Sequence, residues 1–206
     1  MGDTRAYVLQ ALRSLAPAGV TVGAQPIGDR AMFEVERAYI RRATERRVRE
    51  FGSGRALLRE LIGRDIPIPV GSDRAPVLPP DVCGSLAHDA GFVVAAVADR
   101  QLVRSIGIDI EPVGPLDEPT ARAILRPDED LDAHLAFTLK EATYKAWSGL
   151  GGRMLEFHEV RLSVTGKCFR AEIVPERQTF DGRFETAADR WIALVVVPTA
   201  SGEGGI

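Results

Sequence analysis

Ile106-Gly107-Ile108-Asp109-Ile110-Glu111-Pro112 is the stretch whose reading decides the fold. Period two sorts it into two faces. Ile106, Ile108 and Ile110 share one face and read as core. Gly107, Asp109 and Glu111 share the other. Two neighbouring carboxylates repel and are costly to dehydrate without a positive partner. Two readings stand at this point: a solvated strand end, or two acids held by a metal, an arginine or a lysine. Pro112 closes the strand and fixes the chain just past the second acid.

Just upstream, Phe92–Ala98 reads as a buried strand. Asp99-Arg100 is a turn, and Leu102–Glu111 returns as the second arm of a hairpin. That pairing brings His88, at the end of Cys83-Gly84-Ser85-Leu86-Ala87-His88, towards Asp109 and Glu111. A lone histidine in a strand or loop is a structural hydrogen-bonding residue or a phosphate donor.

Further upstream, Phe33–Glu50 is helical and rich in Arg and Glu. Gly52-Ser53-Gly54 interrupts it, and Ser53 caps a second helix to about Ile62. Its interleaved charges read as a solvated face, with an anion site using a few arginines as the alternative. A first helix ends near Leu15, with Asp3 or Thr4 as cap and Val8, Leu12 and Leu15 on one face. Val20–Val22 is a short strand, and Gly23–Gly28 is a loop.

Downstream, Leu131 to about Trp147 is a long helix, ended by Gly149, Gly151 and Gly152. Glu141 and Lys145 lie one turn apart on it. Taken alone they form a surface ion pair of ~0.3–0.5 kcal/mol. Strands follow at Glu159–Val164, Cys168–Val174 and, after a loop, Trp191–Val197. This order predicts an α+β protein of two halves, residues 1–104 and 105–198, with an unstructured tail at 199–206.

Composition sets the outer bounds. The 206 residues carry 26 Lys and Arg against 29 Asp and Glu, a net charge of −3. That balance argues against nucleic acid or an anionic membrane as partner. No apolar run approaches the ~20 residues of a membrane span. Met1-Gly2-Asp3-Thr4 lacks the basic and apolar regions of a signal peptide, and Ala6 breaks the myristoylation pattern. Cys83 and Cys168 fit no metal spacing and read as reduced thiols in a cytoplasmic protein.

The ordered set of motifs resembles the Sfp-type 4′-phosphopantetheinyl transferases, the group that activates surfactin and enterobactin synthetases. It consists of Arg47…Phe51-x-x-x-Arg55, Arg74-Ala75-Pro76, Gly84-Ser85-Leu86-Ala87-His88, Ile106-Gly107-Ile108-Asp109-Ile110-Glu111 and Phe137-x-x-Lys140-Glu141-Ala142-x-x-Lys145. The pattern is most similar to the enterobactin-activating branch. The resemblance implies a pseudo-twofold pair of α+β subdomains in a monomer, with coenzyme A in the cleft between them. It implies transfer of the 4′-phosphopantetheine arm of coenzyme A to a serine of an acyl or peptidyl carrier protein. Adenosine 3′,5′-bisphosphate is released, and Mg²⁺ is required.

Carried over residue by residue, Asp109, Glu111 and Glu141 are the implied metal ligands. Mg²⁺ takes hard oxygen ligands and shares its shell with phosphates and waters. Glu141 is the implied base for the serine proton, with Glu111 or a water as alternatives, and Lys145 the implied partner of charge on the leaving side. Lys140, Lys145, His88, Arg47, Arg55 and Arg74 are the implied contacts to coenzyme A, where a guanidinium fork suits a 3′-phosphate. Ala87 stands where many members have serine, and Arg74 where lysine is common. Neither departure touches the acids, so activity is expected. Two other classes are consistent with the same residues: a Mg²⁺-dependent nucleotide phosphohydrolase, and a coenzyme A or carrier-protein binding module without catalysis.

Overall fold

The structure, a computed structural model, describes residues 4–71, 74–89 and 91–199. In chain order the elements are α1 (Thr4–Leu15), β1 (Val20–Pro26), α2 (Glu34–Ile40), α3 (Glu45–Ile62), β2 (Val82–His88), β3 (Phe92–Asp99) and β4 (Val103–Pro112). They continue with α4 (Glu118–Ile124), α5 (Ala133–Ser148), β5 (Val160–Thr165), β6 (Cys168–Ile173), β7 (Gln178–Ala187) and β8 (Arg190–Pro198). The strands form two antiparallel sheets, β1-β3-β2 and β4-β8-β7-β6-β5. The expected α+β class holds.

Three apolar clusters hold these layers. Leu57 and Leu58 of α3 pack on the first sheet with Val93, Ala95 and Val97. Leu139, Ala142 and Ala146 of α5 pack on one face of the second sheet with Phe169, Ala171, Phe180 and Phe184. Val8, Leu12 and Leu15 of α1 meet both sheets at once, with Ala24, Val94, Ile106, Ile108 and Ile110. The isoleucine face of the opening strand is therefore core, as its period predicts.

The predicted hairpin is not formed. Strand β3 is central in its own sheet, with β1 and β2 on its two edges, while β4 pairs with β8. Asp99–Leu102 carries the chain from one sheet to the other. The proximity of His88 to the acids arises differently: β2 lies beside β4, and the Ile108 N–H donates to Ser85 Oγ at 3.3 Å. A second tie joins the sheets, where Arg190 donates to buried Asp89 and stands over the Phe92 ring.

Three other boundaries differ from the sequence reading. β1 runs on to Pro26, through the predicted loop. The break in the arginine-rich region lies at Arg41–Thr44, where Thr44 caps α3, and Gly52-Ser53-Gly54 sits inside that helix. Tertiary packing overrides the glycine penalty of ~1 kcal/mol each. Ser53 is fully buried and exchanges hydrogen bonds with the backbone of Gly28, and Gly54 lies against Leu86. The loop predicted before Trp191 is strand β7, whose Phe180, Gly182 and Phe184 alternate inward with exposed Asp181 and Arg183. Asp3, and the predicted tail beyond Thr199, lie outside the described residues.

Candidate active site

Strand β4 and helix α5 build the centre of the site. Gly107 sits where a Cβ would stand 1.8 Å from the Ala142 carbonyl oxygen. Only glycine lets α5 settle this closely on the strand. Ser105 Oγ donates to the Ala146 carbonyl at 2.7 Å and anchors the same approach one turn on. Lys145 thereby reaches the acid face of β4. Its Nζ donates to Asp109 Oδ1 at 2.6 Å and to the Ile108 carbonyl at 3.2 Å. The predicted Glu141–Lys145 ion pair is not formed, because Asp109 takes the lysine.

Asp109 is 3% exposed, and its Oδ2 is buried without a hydrogen-bond partner. Burial pushes its carboxyl above the usual range, against the pull of Lys145. Glu111 is pushed up to about 7, first by burial and then by the charge of Asp109. Burial also raises Glu141, which makes no hydrogen bond or ion pair among the described residues. The Asp109 charge adds to the raised proton affinity of both glutamates. Three partly dehydrated acids lie within reach of Lys145, and His134 Nε2 stands 3.7 Å from Glu111 Oε2. Such a site favours a further positive charge.

A cleft of about 760 Å³ runs between the sheets, walled by α3, Val70, Arg74, Ala75 and Pro76, β2, the start of β4 and the end of α5. Arg47, Arg55, Arg74, His88 and Lys145 all line it. The three acids are not among its walls; Lys145 links it to Asp109. Arg47 Nη1 lies 2.9 Å from His88 Nε2. An arginine only donates, so Nε2 is the acceptor and Nδ1 carries the proton. Burial lowers the His88 pKa, in keeping with a neutral ring. Arg55 is 4% exposed; its Nε donates to the Ile68 carbonyl at 2.7 Å, and its guanidinium stands 4.4 Å over the Phe51 ring. Burial lowers it to about 10, so it stays cationic at neutral pH.

One expected contact fails. Lys140 is 1% exposed and points away from the cleft. Its three donors go to Glu129 Oε2 at 2.7 Å and to the carbonyls of Ile124 at 2.8 Å and Phe157 at 3.1 Å. An ammonium has three donors, so none is left for a phosphate. Arg59 also departs from the reading of a solvated face: it pairs with the fully buried Glu36 at 2.6 Å. Residues the sequence reading passed over also line the cleft, among them Glu50, Arg100, Arg104 and Tyr144. Arg100 and Arg104 flank a turn, which offered no chemical signal. Glu50 recurs four residues after Arg46, a spacing that does signal pairing, and it bonds both Arg46 and Arg47.

The donor set fits a hard divalent ion. The orphaned Asp109 oxygen and the unpaired Glu141 carboxylate offer oxygen ligands. No three His, Cys, Asp or Glu among the described residues converge closely enough to hold an ion unaided. Mg²⁺ does not require that, since it keeps waters and completes its shell with substrate phosphates.

Comparison with known proteins supports the same conclusion. Residues 35–98 match the family described as "4'-phosphopantetheinyl transferase N-terminal domain". The chain is 35% identical over 193 residues to 4′-phosphopantetheinyl transferase Svp of Streptomyces mobaraensis, covering 82% of this chain and 78% of that one. It is 35% identical over 170 residues to Npt of Nocardia iowensis, covering 71% and 77%. Over 144 residues it is 35% identical to PptT of Mycobacterium tuberculosis, covering 61% and 63%. With its cation-lined cleft beside a buried acid strand, and with these relatives matched over most of their length, the chain belongs to the 4′-phosphopantetheinyl transferase family.

Proposed function

We propose that this transferase moves the 4′-phosphopantetheine arm of coenzyme A onto a serine of an acyl or peptidyl carrier protein, with Mg²⁺, through the residues assembled above. One observation carries the assignment: Asp109 has one oxygen held by Lys145 and the other buried and unpartnered, beside a cleft lined by cations. In this reading subdomain 1–104 binds the nucleotide, and subdomain 105–198 supplies the acids. Arg47, Arg55, Arg74 and His88 hold the adenosine phosphates, with guanidinium groups suited to bidentate contact. Asp109, Glu111 and Glu141 hold the ion. When bound, Mg²⁺ supplies neutralisation of charge on the pyrophosphate.

The chain's own groups perform the remaining work. Lys145 fixes the Asp109 carboxylate and places a cation beside the reacting phosphate. Glu141, one helical turn before Lys145, takes the serine proton, with Glu111 or a water as the alternative base. His88, with Nε2 engaged by Arg47, has Nδ1–H to donate to a phosphate oxygen. The arginine-rich α3 supports placing the chain near the enterobactin-activating branch. We further assign it to the cytoplasm as a monomer, in keeping with its two free cysteines. The test is a mixture of coenzyme A, Mg²⁺ and an apo carrier protein. The carrier should gain the phosphopantetheine mass on one serine. Coenzyme A binding without mass gain across several carriers would overturn the proposal in favour of a binding module. Hydrolysis of coenzyme A without carrier would overturn it in favour of a phosphohydrolase.

A further inference from the structure

Helix α5 meets the acid face of β4 with more than Glu141 and Lys145. His134, Glu141 and Lys145 stand at i, i+7 and i+11, on one stripe of the helix. Asp132 caps α5, so His134 lies in its first turn, at the Glu111 end of the strand. Its ring is held in place: Nδ1 lies 3.0 Å from the carbonyl oxygen of Gly114, just past the close of β4. A carbonyl only accepts, so Nδ1 carries a proton and donates. Nε2 is turned to Glu111 Oε2, 3.7 Å away, which is within ion-pair reach and beyond a hydrogen bond. The His134 side chain is 14% exposed and that of Glu111 25%, so water screens the contact only in part.

Glu111 needs such a neighbour. It makes no hydrogen bond among the described residues, and the charges of Asp109, Asp89 and Glu141 all bear on it with the same sign. Lys145 attracts it, but Lys145 is bonded to Asp109 Oδ1 and the Ile108 carbonyl. A glutamate side chain is long and has many rotamers. Repulsion from these acids favours the rotamers that carry the carboxylate outward, away from the ion site. Helix α5 therefore treats the two β4 acids alike. Lys145 faces one oxygen of Asp109 and leaves Oδ2 bare; His134 faces one oxygen of Glu111 and leaves Oε1 without a hydrogen bond.

We infer that His134 is the positioning residue for Glu111: from Nε2 it steadies one carboxylate oxygen, so that the other stays turned to the ion proposed for this site. The inference rests on the metal assignment within the transferase reading, and adds a residue that touches neither substrate nor ion. A group of this kind behind a metal ligand is worth about 10- to 100-fold in metal affinity. The bond to Gly114 serves a separate end, tying the β4–α4 connection to α5.

The test uses substitutions that split the two nitrogens of the ring. The amide nitrogen of asparagine falls where Nδ1 stands, and that of glutamine where Nε2 stands. Mn²⁺ affinity in the presence of coenzyme A is read by paramagnetic resonance on the full chain, beside the melting temperature. His134→Gln should keep Mn²⁺ affinity within about threefold of the wild type, while His134→Asn and His134→Ala should each lose about tenfold. Melting temperature should follow the other nitrogen, with His134→Asn above His134→Gln. A loss of affinity in His134→Gln as large as in His134→Ala overturns the inference, and so does unchanged affinity in all three variants. Nitrogen coupling to Mn²⁺ in the wild type that disappears in His134→Ala would make His134 a ligand and overturn the positioning role. A wild type that binds no Mn²⁺ removes the ion, and the inference with it. Carrier mass is scored separately on the wild type with Mg²⁺ and coenzyme A. No mass gain beside the expected order of Mn²⁺ affinities would sink the transferase reading and leave the role of His134 standing.

Discussion

Lys140 and Lys145 stand on one helix, five residues apart, and each meets a buried acid. The resemblance treats them alike, as phosphate contacts. The structure separates them. Lys140 and Glu129 close on themselves: all three ammonium donors are used, and Glu129 also accepts from the backbone of Arg126 and Leu162. This knot ties the α4–α5 connection to α5 and to the start of β5. Lys145 and Asp109 leave one carboxylate oxygen bare and the lysine partly exposed, facing the cleft. A satisfied buried pair specifies structure, whereas an unsatisfied one costs stability and marks a place for something else to bind. The contrast lies in the unmet valence, since both acids are deeply buried.

That contrast can be broken in order of effect. Asp109→Ala should lower turnover by about a thousandfold, as loss of a group placed on developing charge does. Its thermal unfolding should shift little, because the variant loses a poorly satisfied acid and Lys145 can turn to solvent. A large fall in melting temperature with turnover preserved would reverse the roles of the two pairs. Lys140→Met should do the opposite. It strands Glu129 in the core and should cost about 3 kcal/mol in denaturant unfolding, while coenzyme A affinity of the folded protein is kept. A selective loss of that affinity would restore Lys140 as a phosphate contact.

Gly107→Ala probes the geometry that lets Lys145 reach its partner. The added methyl meets the Ala142 carbonyl, a backbone atom that cannot swing aside. We expect about 2 kcal/mol of destabilisation from overpacking, with turnover falling in the folded fraction as α5 shifts. Full turnover in that variant would show that α5 need not sit close.

The smallest effect belongs to an exposed pair beside the Lys140 knot. Hydrogen bonds from Arg153 hold Glu159 down from 4.5 to about 2. The folded pKa lies below the unfolded one, so this contribution is complete above pH 4.5 and is lost as pH falls towards 2. Glu159→Gln should flatten the acid limb of stability over that window. An unchanged acid limb would show that the pair adds nothing.

Much of this was legible in the sequence, and the failures have physical causes. The isoleucine face of β4 and the acid face opposite follow from period two, which the backbone imposes regardless of context. The long α5 follows from its apolar spacing, and Asp132 caps it. Adjacency in sequence favours a β3–β4 hairpin, whereas β3 pairs on both edges, with β1 and β2. Gly52-Ser53-Gly54 lies inside α3 because glycine signals a break only where nothing packs closely against the helix. In β7, Phe180, Gly182 and Phe184 alternate with charged residues, but a glycine at the centre of the run hides the period. The two lysines were not separable by motif. Which one is satisfied depends on Glu129, Ile124 and Phe157, which only the fold brings together.

The most direct test of the central claim is Mn²⁺ binding, as a spectroscopic stand-in for Mg²⁺, in the presence of coenzyme A. Paramagnetic resonance would compare the wild type, Asp109→Asn and Lys140→Met. The account predicts bound Mn²⁺ in the wild type and in Lys140→Met, and at least a tenfold loss of affinity in Asp109→Asn. Undiminished Mn²⁺ binding in Asp109→Asn would contradict it.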